Sequence, residues 1–470
     1  MVPPNNKLII CIPTRNRSEL ACNAIRSVLD QRECAINILV SDNSTDDVEI
    51  DTLAQFCDKL NDPRVRYVRP PAPLAMSAHW NWLVENALAH DASHVAFLTD
   101  RMIIKRGELK AVYEIVAHYP DKIVCYMHDR IEDHRNPVKL YQNPWTGHLF
   151  LVQSSLLLNL SAQSVMSDAS CPRLLNCVVP RTTLEAIRGR FGTICDSIAP
   201  DWNFCYRALA LIDSLLFYDR SVLIHYATGQ SNGESQSRNV MTSAFRDFLA
   251  NLGSRQLNFA TPIPEVVTVW NAIINEYCAV KQATGSSKFP ELDLQKYMGA
   301  LAVGVGWIED PEKRARSRAI LVAHGWQECA GNDALNSNAL MPSASLSWRV
   351  CRSMGKVWRR TVLLAKGRAI QPVWIFLSAF GVHPPDENEF VFSSTEDAMS
   401  YAQRFPRLPN KDWRLRLPRH EFKGSIALVN PAIAAREERL MWHIGRLLDK
   451  SHLWKSFLRF LDRHVVWRFD

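Results

Sequence analysis

The sequence predicts an α/β protein: a mostly parallel sheet with helices on both faces, followed by a mainly α-helical C-terminal region. Three observations carry this. Short, nearly continuous, β-branched apolar runs recur between Lys7 and about Asp129, as buried parallel strands do. Segments with apolar residues at helical spacing fill the gaps between them, giving βαβ units. Beyond about Val240 the strand-like runs give way to helical spacing.

In order, strands are expected at Leu8–Ile12, Ile36–Val40, Val65–Val68, Val95–Leu98 and Ile123–Tyr126. The segment Ser18–Gln31 carries Leu20, Ala24, Ile25 and Val28 on one helical face. Helices at Val48–Leu60, Ser77–Ala89 and Gly107–His118 fill the later gaps. From Pro144 to Asn232 the pattern is less regular. A strand ending near Pro180 leads to helices at Thr182–Arg190 and Trp202–Leu211, then a strand at Leu215–His225. This reads as the second half of the same domain, closed by Ser231–Ser235. The chain therefore divides into a first domain over 1–235, a helical extension over 236–330 and a Ser/Asn-rich linker over 331–347. A basic, Trp-rich, mainly helical segment over 348–470 completes it.

A chain of 470 residues suggests two or three domains. With 47% hydrophobic and 22% charged residues its composition is that of an ordinary globular protein, and a net charge of +7 does not imply nucleic acid. The twelve cysteines include no C-x-x-C and no zinc spacing, so a reducing cytosol is expected and Cys11 reads as a small buried hydrophobe. The LIICI run is too short for a secretory leader. The longest apolar stretch, Val373–Val382, falls well short of the ~20 residues that span a bilayer.

Three polar motifs each end an apolar run: KLIICIPTRNR (Lys7–Arg17), INILVSDNS (Ile36–Ser44) and HVAFLTDRM (His94–Met102). Ligands of open α/β sheets bind at the carboxyl ends of strands, so Arg15, Asp42 and Asp100 should converge on one crevice with the outline of a nucleotide site. A guanidinium there can contact a phosphate through two donors. A carboxylate can accept from a ring N–H or from sugar hydroxyls. The plainer alternatives are that Arg15 and Arg17 are solvated charges and that Asp42, Asn43 and Ser44 form a turn.

Taken in this order and spacing, IPTRNR, SDNS and TDR resemble the family 2 glycosyltransferases of GT-A fold, over roughly the first half of the chain. The resemblance implies transfer of a sugar, of hexosyltransferase type, from a nucleotide diphosphate donor to an acceptor hydroxyl. It also implies inversion at the anomeric carbon and a setting in bacterial surface-glycan synthesis. It places Pro13, Thr14, Arg15 and Asn16 in the turn that receives nucleobase and diphosphate. Asp42 and Asn43 then fall at the nucleoside, and Asp100 and Arg101 at the diphosphate. The chain departs from the family after Asp100, where Arg101 and Met102 stand at acidic positions and offer no oxygen ligand to Mg²⁺ or Mn²⁺. Two readings stay open. Arg101, with Lys105 or Arg106, stabilises the leaving phosphate directly; or Asp100 and His225 hold a divalent cation, with a structural role for His225 as the plain alternative.

The resemblance also calls for a carboxylate base at a helix start, and Asp201 in SIAPDWNFCYRAL fits that context. An ordinary helix-start acid is the alternative, and Asp196 is the reserve candidate. His79, Trp80, Asn81 and Trp82 fall where the family has a loop near the donor sugar, with Asn81 the polar candidate. Between Asp333 and Asp386 there is no acidic residue, while Arg349, Arg352, Lys356, Arg359, Arg360, Lys366 and Arg368 cluster with Trp348, Trp358 and Trp374. Such a helix suits an anionic membrane surface, or else packs its apolar face on the protein. The expected partners are a nucleotide-sugar donor and a glycan or lipid-linked acceptor. Peripheral membrane contact at the inner face is expected of a cytoplasmic protein; nucleic acid is not, since no recognition module is visible. A nucleotidyltransferase needs a glycine-rich loop after the first strand, which Thr14–Arg17 lacks. A degenerate, non-catalytic nucleotide-sugar-binding or scaffold protein of the same fold remains the rival reading.

Overall fold

The computed structural model describes residues 7–31, 35–143, 145–165, 169–231, 259–327, 389–404 and 425–429, with isolated positions between 233 and 248. The first half alternates strand and helix: β1 (Leu8–Thr14), α1 (Ser18–Leu29), β2 (Ile36–Asp42), α2 (Asp47–Leu60), β3 (Val65–Val68), α3 (Met76–Ala89) and β4 (His94–Phe97). Then come β5 (Met102–Ile104), α4 (Glu108–His118), β6 (Val124–Glu132), β7 (Val138–Tyr141), β8 (Leu149–Gln153) and α5 (Ser154–Ala162). The domain is completed by β9 (Cys177–Pro180), α6 (Arg181–Phe191), α7 (Pro200–Leu211) and β10 (Ser214–His225). Among the described residues there follow helices α8 (Val269–Thr284), α9 (Leu294–Gly306) and α10 (Pro311–Ala323), and then β11 (Glu389–Phe392), α11 (Thr395–Arg404) and β12 (Ile426–Val429).

The predicted α/β class is what the chain adopts. The main sheet runs β12-β8-β10-β6-β9-β4-β1-β2-β3. β1 pairs parallel with β2 and β4, β2 with β3, and β6 with β10. β9 lies antiparallel between β4 and β6, so those two strands run the same way and end at the same sheet edge. β1 and β4 are buried along their whole length, which is why they read as continuous apolar runs. Among the small hydrophobes of this core is Cys11, with no exposed surface. Helix ends follow local chemistry. Asp46 accepts from the N–H groups of Val48 and Glu49 at the start of α2, and Gly192 takes φ +78 where α6 stops.

Two regions differ from the sequence reading. The short strands β5, β7 and β8 carry too few residues for an alternation to register, and were not expected. Residues 389–404 and 426–429 belong to the segment divided off from 348 onward as a mainly helical tail. In the structure β11 and β12 instead extend the sheet, antiparallel to β7 and β8. Four-residue strands gain their stability from the edge they join, and local sequence does not reveal that edge. The linker 331–347 and the basic residues Arg349 to Arg368 lie outside the described residues. Among the described residues, no helix is long and apolar enough to cross a membrane.

The helical extension packs on the sheet domain through α8. Tyr277 meets Tyr206 of α7 edge-on at 5.3 Å and Phe289 at 5.2 Å, and its hydroxyl donates to the Pro290 carbonyl at 2.6 Å. Tyr277 has no exposed surface. Truncating such a ring leaves a cavity, so Tyr277→Ala is expected to lower the stability by about 3–5 kcal/mol, read from urea unfolding.

Candidate functional site

The site is built at the carboxyl edge of the parallel strands. In the β1/β2 pair Thr14 stands opposite Asp42, and the Asn43 N–H donates to the Thr14 carbonyl at 3.0 Å. The chain after β4 turns towards the same point: the Thr14 hydroxyl donates to Asp100 Oδ2 at 2.9 Å, and Arg17 Nε reaches the same oxygen at 3.0 Å. The first and third motifs thus meet through Asp100, which is almost fully buried. Arg17, for which a solvated charge is the plainer alternative in sequence, is partly buried against it.

The second motif makes mainly internal bonds. Asp42 has no exposed surface; it accepts the Ser44 N–H at 2.9 Å and the Tyr67 hydroxyl at 2.8 Å. Asn43 donates to the Leu74 carbonyl at 2.8 Å and accepts the Leu74 N–H at 2.9 Å, pinning the loop after β3. Asn16 sits in the left-handed region at φ +52, and its side-chain oxygen accepts from the N–H groups of Thr45 and Asp46. These residues shape the turn walls. Pro13 pairs in register with Ser41, whose hydroxyl lies 2.7 Å from His79 Nε2. Burial and the charge of Arg15 push the His79 imidazole down to about 3.

A group of cations lies beside Asp100. Arg101 Nη1 donates to His225 Nε2 at 2.9 Å, so that nitrogen carries the lone pair and Nδ1 the proton. Burial lowers the Arg101 guanidinium to about 10, Arg17 adds to the effect, and Asp100 and Asp133 oppose it. His225 is held well below its ordinary range by burial, then by Arg101, His128, Arg130 and Arg173. Arg173 also acts on His128 and on Asp201. It is presented by a turn in which Leu174 takes φ +60 and Asn176 Oδ1 accepts the Arg173 N–H at 3.0 Å. The Nε atoms of Arg101 and Arg173 and the hydroxyl of Thr99 are buried without a hydrogen-bond partner among the described residues. Buried donors are normally satisfied, so the chemistry of this electropositive corner is compatible with an anionic ligand.

A divalent cation fits the same corner poorly. The His225 lone pair faces a guanidinium, one Asp100 oxygen already holds Thr14 and Arg17, and the surrounding charge is positive. Among the described residues, no three His, Cys, Asp or Glu side chains are gathered as metal ligands. Lys105 is not at the corner: it forms a buried ion pair with Asp129, and Arg106 faces Asp30 at 3.7 Å.

Asp201 opens α7. Only Ile212 and Asp213 separate α7 from β10, so the helix runs back along the sheet and starts at the carboxyl edge. Burial raises the Asp201 carboxyl above its ordinary value, opposed by Arg173 and by the backbone N–H groups of Asp201 and Trp202. The Arg173 guanidinium lies 5.3 Å from the centre of the Trp202 ring. The turn before the helix is anchored by Asn81, which lies on α3 rather than in a loop. Its Oδ1 accepts the Ile194 N–H at 2.8 Å, and its Nδ2 donates to the Cys195 carbonyl at 2.8 Å.

Residues 9–177 match the model of glycosyl transferase family 2. This segment is similar to that family. It spans a little over a third of the chain and contains β1 through the start of β9, so it includes Asp100 and Arg101 but ends before Asp201. No curated relative matches the chain. Among solved structures, S. aureus TarS 1–349 in complex with UDP-GlcNAc is 12% identical, with a TM-score of 0.38 over 67% of this chain and 88% of that one. The S. aureus TarS structure of greater length is 14% identical, with a TM-score of 0.37 over 67% of this chain and 53% of that one.

Arg173 and Arg17 were not among the sequence candidates, since neither falls in a pattern that separates a site cation from a surface one. The buried His79 gives a pH test of the site wall. Its folded value lies below the unfolded 6.5, so its contribution to stability is full above about 6.5 and is lost as pH falls towards 3. His79→Gln should therefore lose about 2 kcal/mol less than the parent between about pH 7 and pH 5, measured by urea unfolding.

Proposed function

We propose that the protein is an inverting glycosyltransferase of hexosyl type that moves a sugar from a nucleoside diphosphate to an acceptor hydroxyl in bacterial surface-glycan synthesis. The similarity to glycosyl transferase family 2 supports the transfer. The observation that supports the donor chemistry is the unpartnered, buried guanidinium Nε atoms of Arg101, beside Asp100, and of Arg173, whose charge reaches His225 and Asp201. A nucleoside diphosphate supplies the acceptor oxygens that they lack.

In this reading Thr14, Arg15 and Arg17 line the turn over the diphosphate, with Asp42 behind them at the nucleoside end. Asp201 takes the proton of the acceptor hydroxyl. The acceptor oxygen attacks the anomeric carbon on the face opposite the diphosphate, and the bond to the phosphate oxygen breaks with its electron pair. Arg101 and Arg173 stabilise the charge that appears there, in a site with little water to screen it. Its raised pKa makes Asp201 a stronger base than an exposed aspartate. The corner's own cations do the work of a clamp, so the reaction is read as independent of a divalent ion. The acceptor is a glycan or a lipid-linked saccharide met at a membrane face, with the protein on the cytoplasmic side.

Asp201→Asn should lower donor turnover about 10²–10⁴-fold while leaving the donor's thermal stabilisation of the protein in place. Turnover at the parent rate would remove Asp201 from the mechanism, and binding without any turnover in the parent would favour a non-catalytic protein. Arg101→Gln should weaken nucleoside diphosphate binding about tenfold to a hundredfold by calorimetry. The parent's affinity should be the same in EDTA as in Mn²⁺; loss of binding in EDTA would overturn the metal-free reading.

A further inference from the structure

The helix that opens with Asp201 has no side-chain cap at its N-cap residue. Its N-cap position is Ala199, whose side chain accepts no hydrogen bond. The first N–H groups of a helix have no intrahelical partner and need an acceptor from elsewhere. Here the N–H groups of Asp201 and Trp202 meet the Asp201 carboxylate, and it is the N–H of Ala199, just before the helix, that is held from the helical extension. Glu276, in the middle of α8, has no exposed surface. Its carboxylate accepts from the Ser197 hydroxyl at 2.7 Å, from Asn203 Nδ2 at 2.8 Å, from Asn275 Nδ2 at 3.3 Å and from the Ala199 N–H. All four partners are donors, a set that matches a carboxylate better than an amide.

The turn so held is under strain. Ser197 takes φ +70, a region that a serine seldom adopts unless its surroundings enforce it. Within the turn, Asn203 Oδ1 accepts the Asp196 N–H at 3.0 Å, so Asn203 joins the start of the turn to Glu276. Asn81 holds Ile194 and Cys195 from the side of α3. The residues leading to Asp201 are thus fastened on one side by the sheet domain and on the other by α8.

We infer that Glu276 is a positioning residue: it clamps the Asp196–Asn203 turn and so fixes Asp201, making the helical extension a working part of the glycosyl-transfer site. This rests on the reading of Asp201 as the base. A purely stabilising role fits Glu276 badly. Burial pushes its carboxyl up to about 7, against the hydrogen bonds that favour the charged form. Its folded value therefore lies above the unfolded one, so its contribution to stability is full below about 4.5 and is lost as pH rises through about 7. At neutral pH the ionised group works against the fold, yet its four donors are arranged for that ionised form. The other titratable groups that feel it are Arg207 on α7 and Cys195 on the turn, with Asp196 acting on the same Arg207.

The test compares the full-length parent with Glu276→Gln, Glu276→Ala and Asp201→Asn, assaying hydrolysis of a panel of UDP-, GDP- and dTDP-sugars. Glu276→Gln should fold with the parent's circular dichroism, and its melting temperature should gain on the parent's between about pH 5 and pH 8. Its kcat should fall about tenfold to a hundredfold with donor KM within about twofold, and the acid limb of kcat near pH 7 should disappear. Hydrogen exchange in the peptide covering 196–203 should be about tenfold faster in Glu276→Ala than in the parent. If exchange there is unchanged, the clamp is absent and the inference is overturned whatever the turnover. A dead Asp201→Asn with a Glu276→Gln of parental kcat and pH profile overturns the positioning role alone. An Asp201→Asn of parental turnover sinks the base reading first and this inference with it.

Discussion

The position of β1 between two parallel neighbours is the constraint on which the site depends. Its register sets Thr14 against Asp42 on one side, while the Leu98 N–H donates to the Cys11 carbonyl on the other at 2.9 Å. Both faces of β1 are covered, so a slip of one residue would exchange the side chains packed on the two faces and move Thr14 away from Asp42. With the register fixed, the polar residues that follow β1 and β4 have little freedom. The Thr14–Asp100–Arg17 contact follows from strand pairing and not from any long-range fit between loops.

Around that contact the protein concentrates charge where water is scarce. Desolvating a guanidinium is costly, and Asp100 and Asp133 offset only part of it for Arg101. Arg173 adds a second partly buried cation whose field reaches Asp201, His128 and His225 together. The two acids at this edge are treated differently: Asp100 is held among cations and hydroxyls, while Asp201 is dominated by burial.

Much of the fold was legible because apolar period and strand burial are local signals. The expected Leu8–Ile12 run became β1, the Trp202–Leu211 periodicity became α7, and the strand ending in His225 ended there. The polar ends of β1, β2 and β4 were legible for the same reason. The division of labour within them was not. Asn16 and Asn43 sit in the motifs, but their amides tie loops together, and Asp42 accepts from the Ser44 N–H of its own turn and from the Tyr67 hydroxyl of β3. Arg173 and Glu276 escaped notice because each reaches the site from a distant loop or helix, with no spacing to announce it.

The outer strands add a matter of timing. β12 pairs with β8, yet Gln153 and Ile426 are separated by most of the chain, and β11 closes on β7 across a similar span. A ribosome adding about 5–20 residues per second would leave those edges unpaired for on the order of tens of seconds after their own strands emerged. During that interval the nascent sheet exposes hydrogen-bonding groups of the kind that recruit foreign strands. The chain that returns last is therefore also the chain that seals the sheet, and synthesis of this protein carries a window in which a chaperone, or a second nascent copy, has access to it.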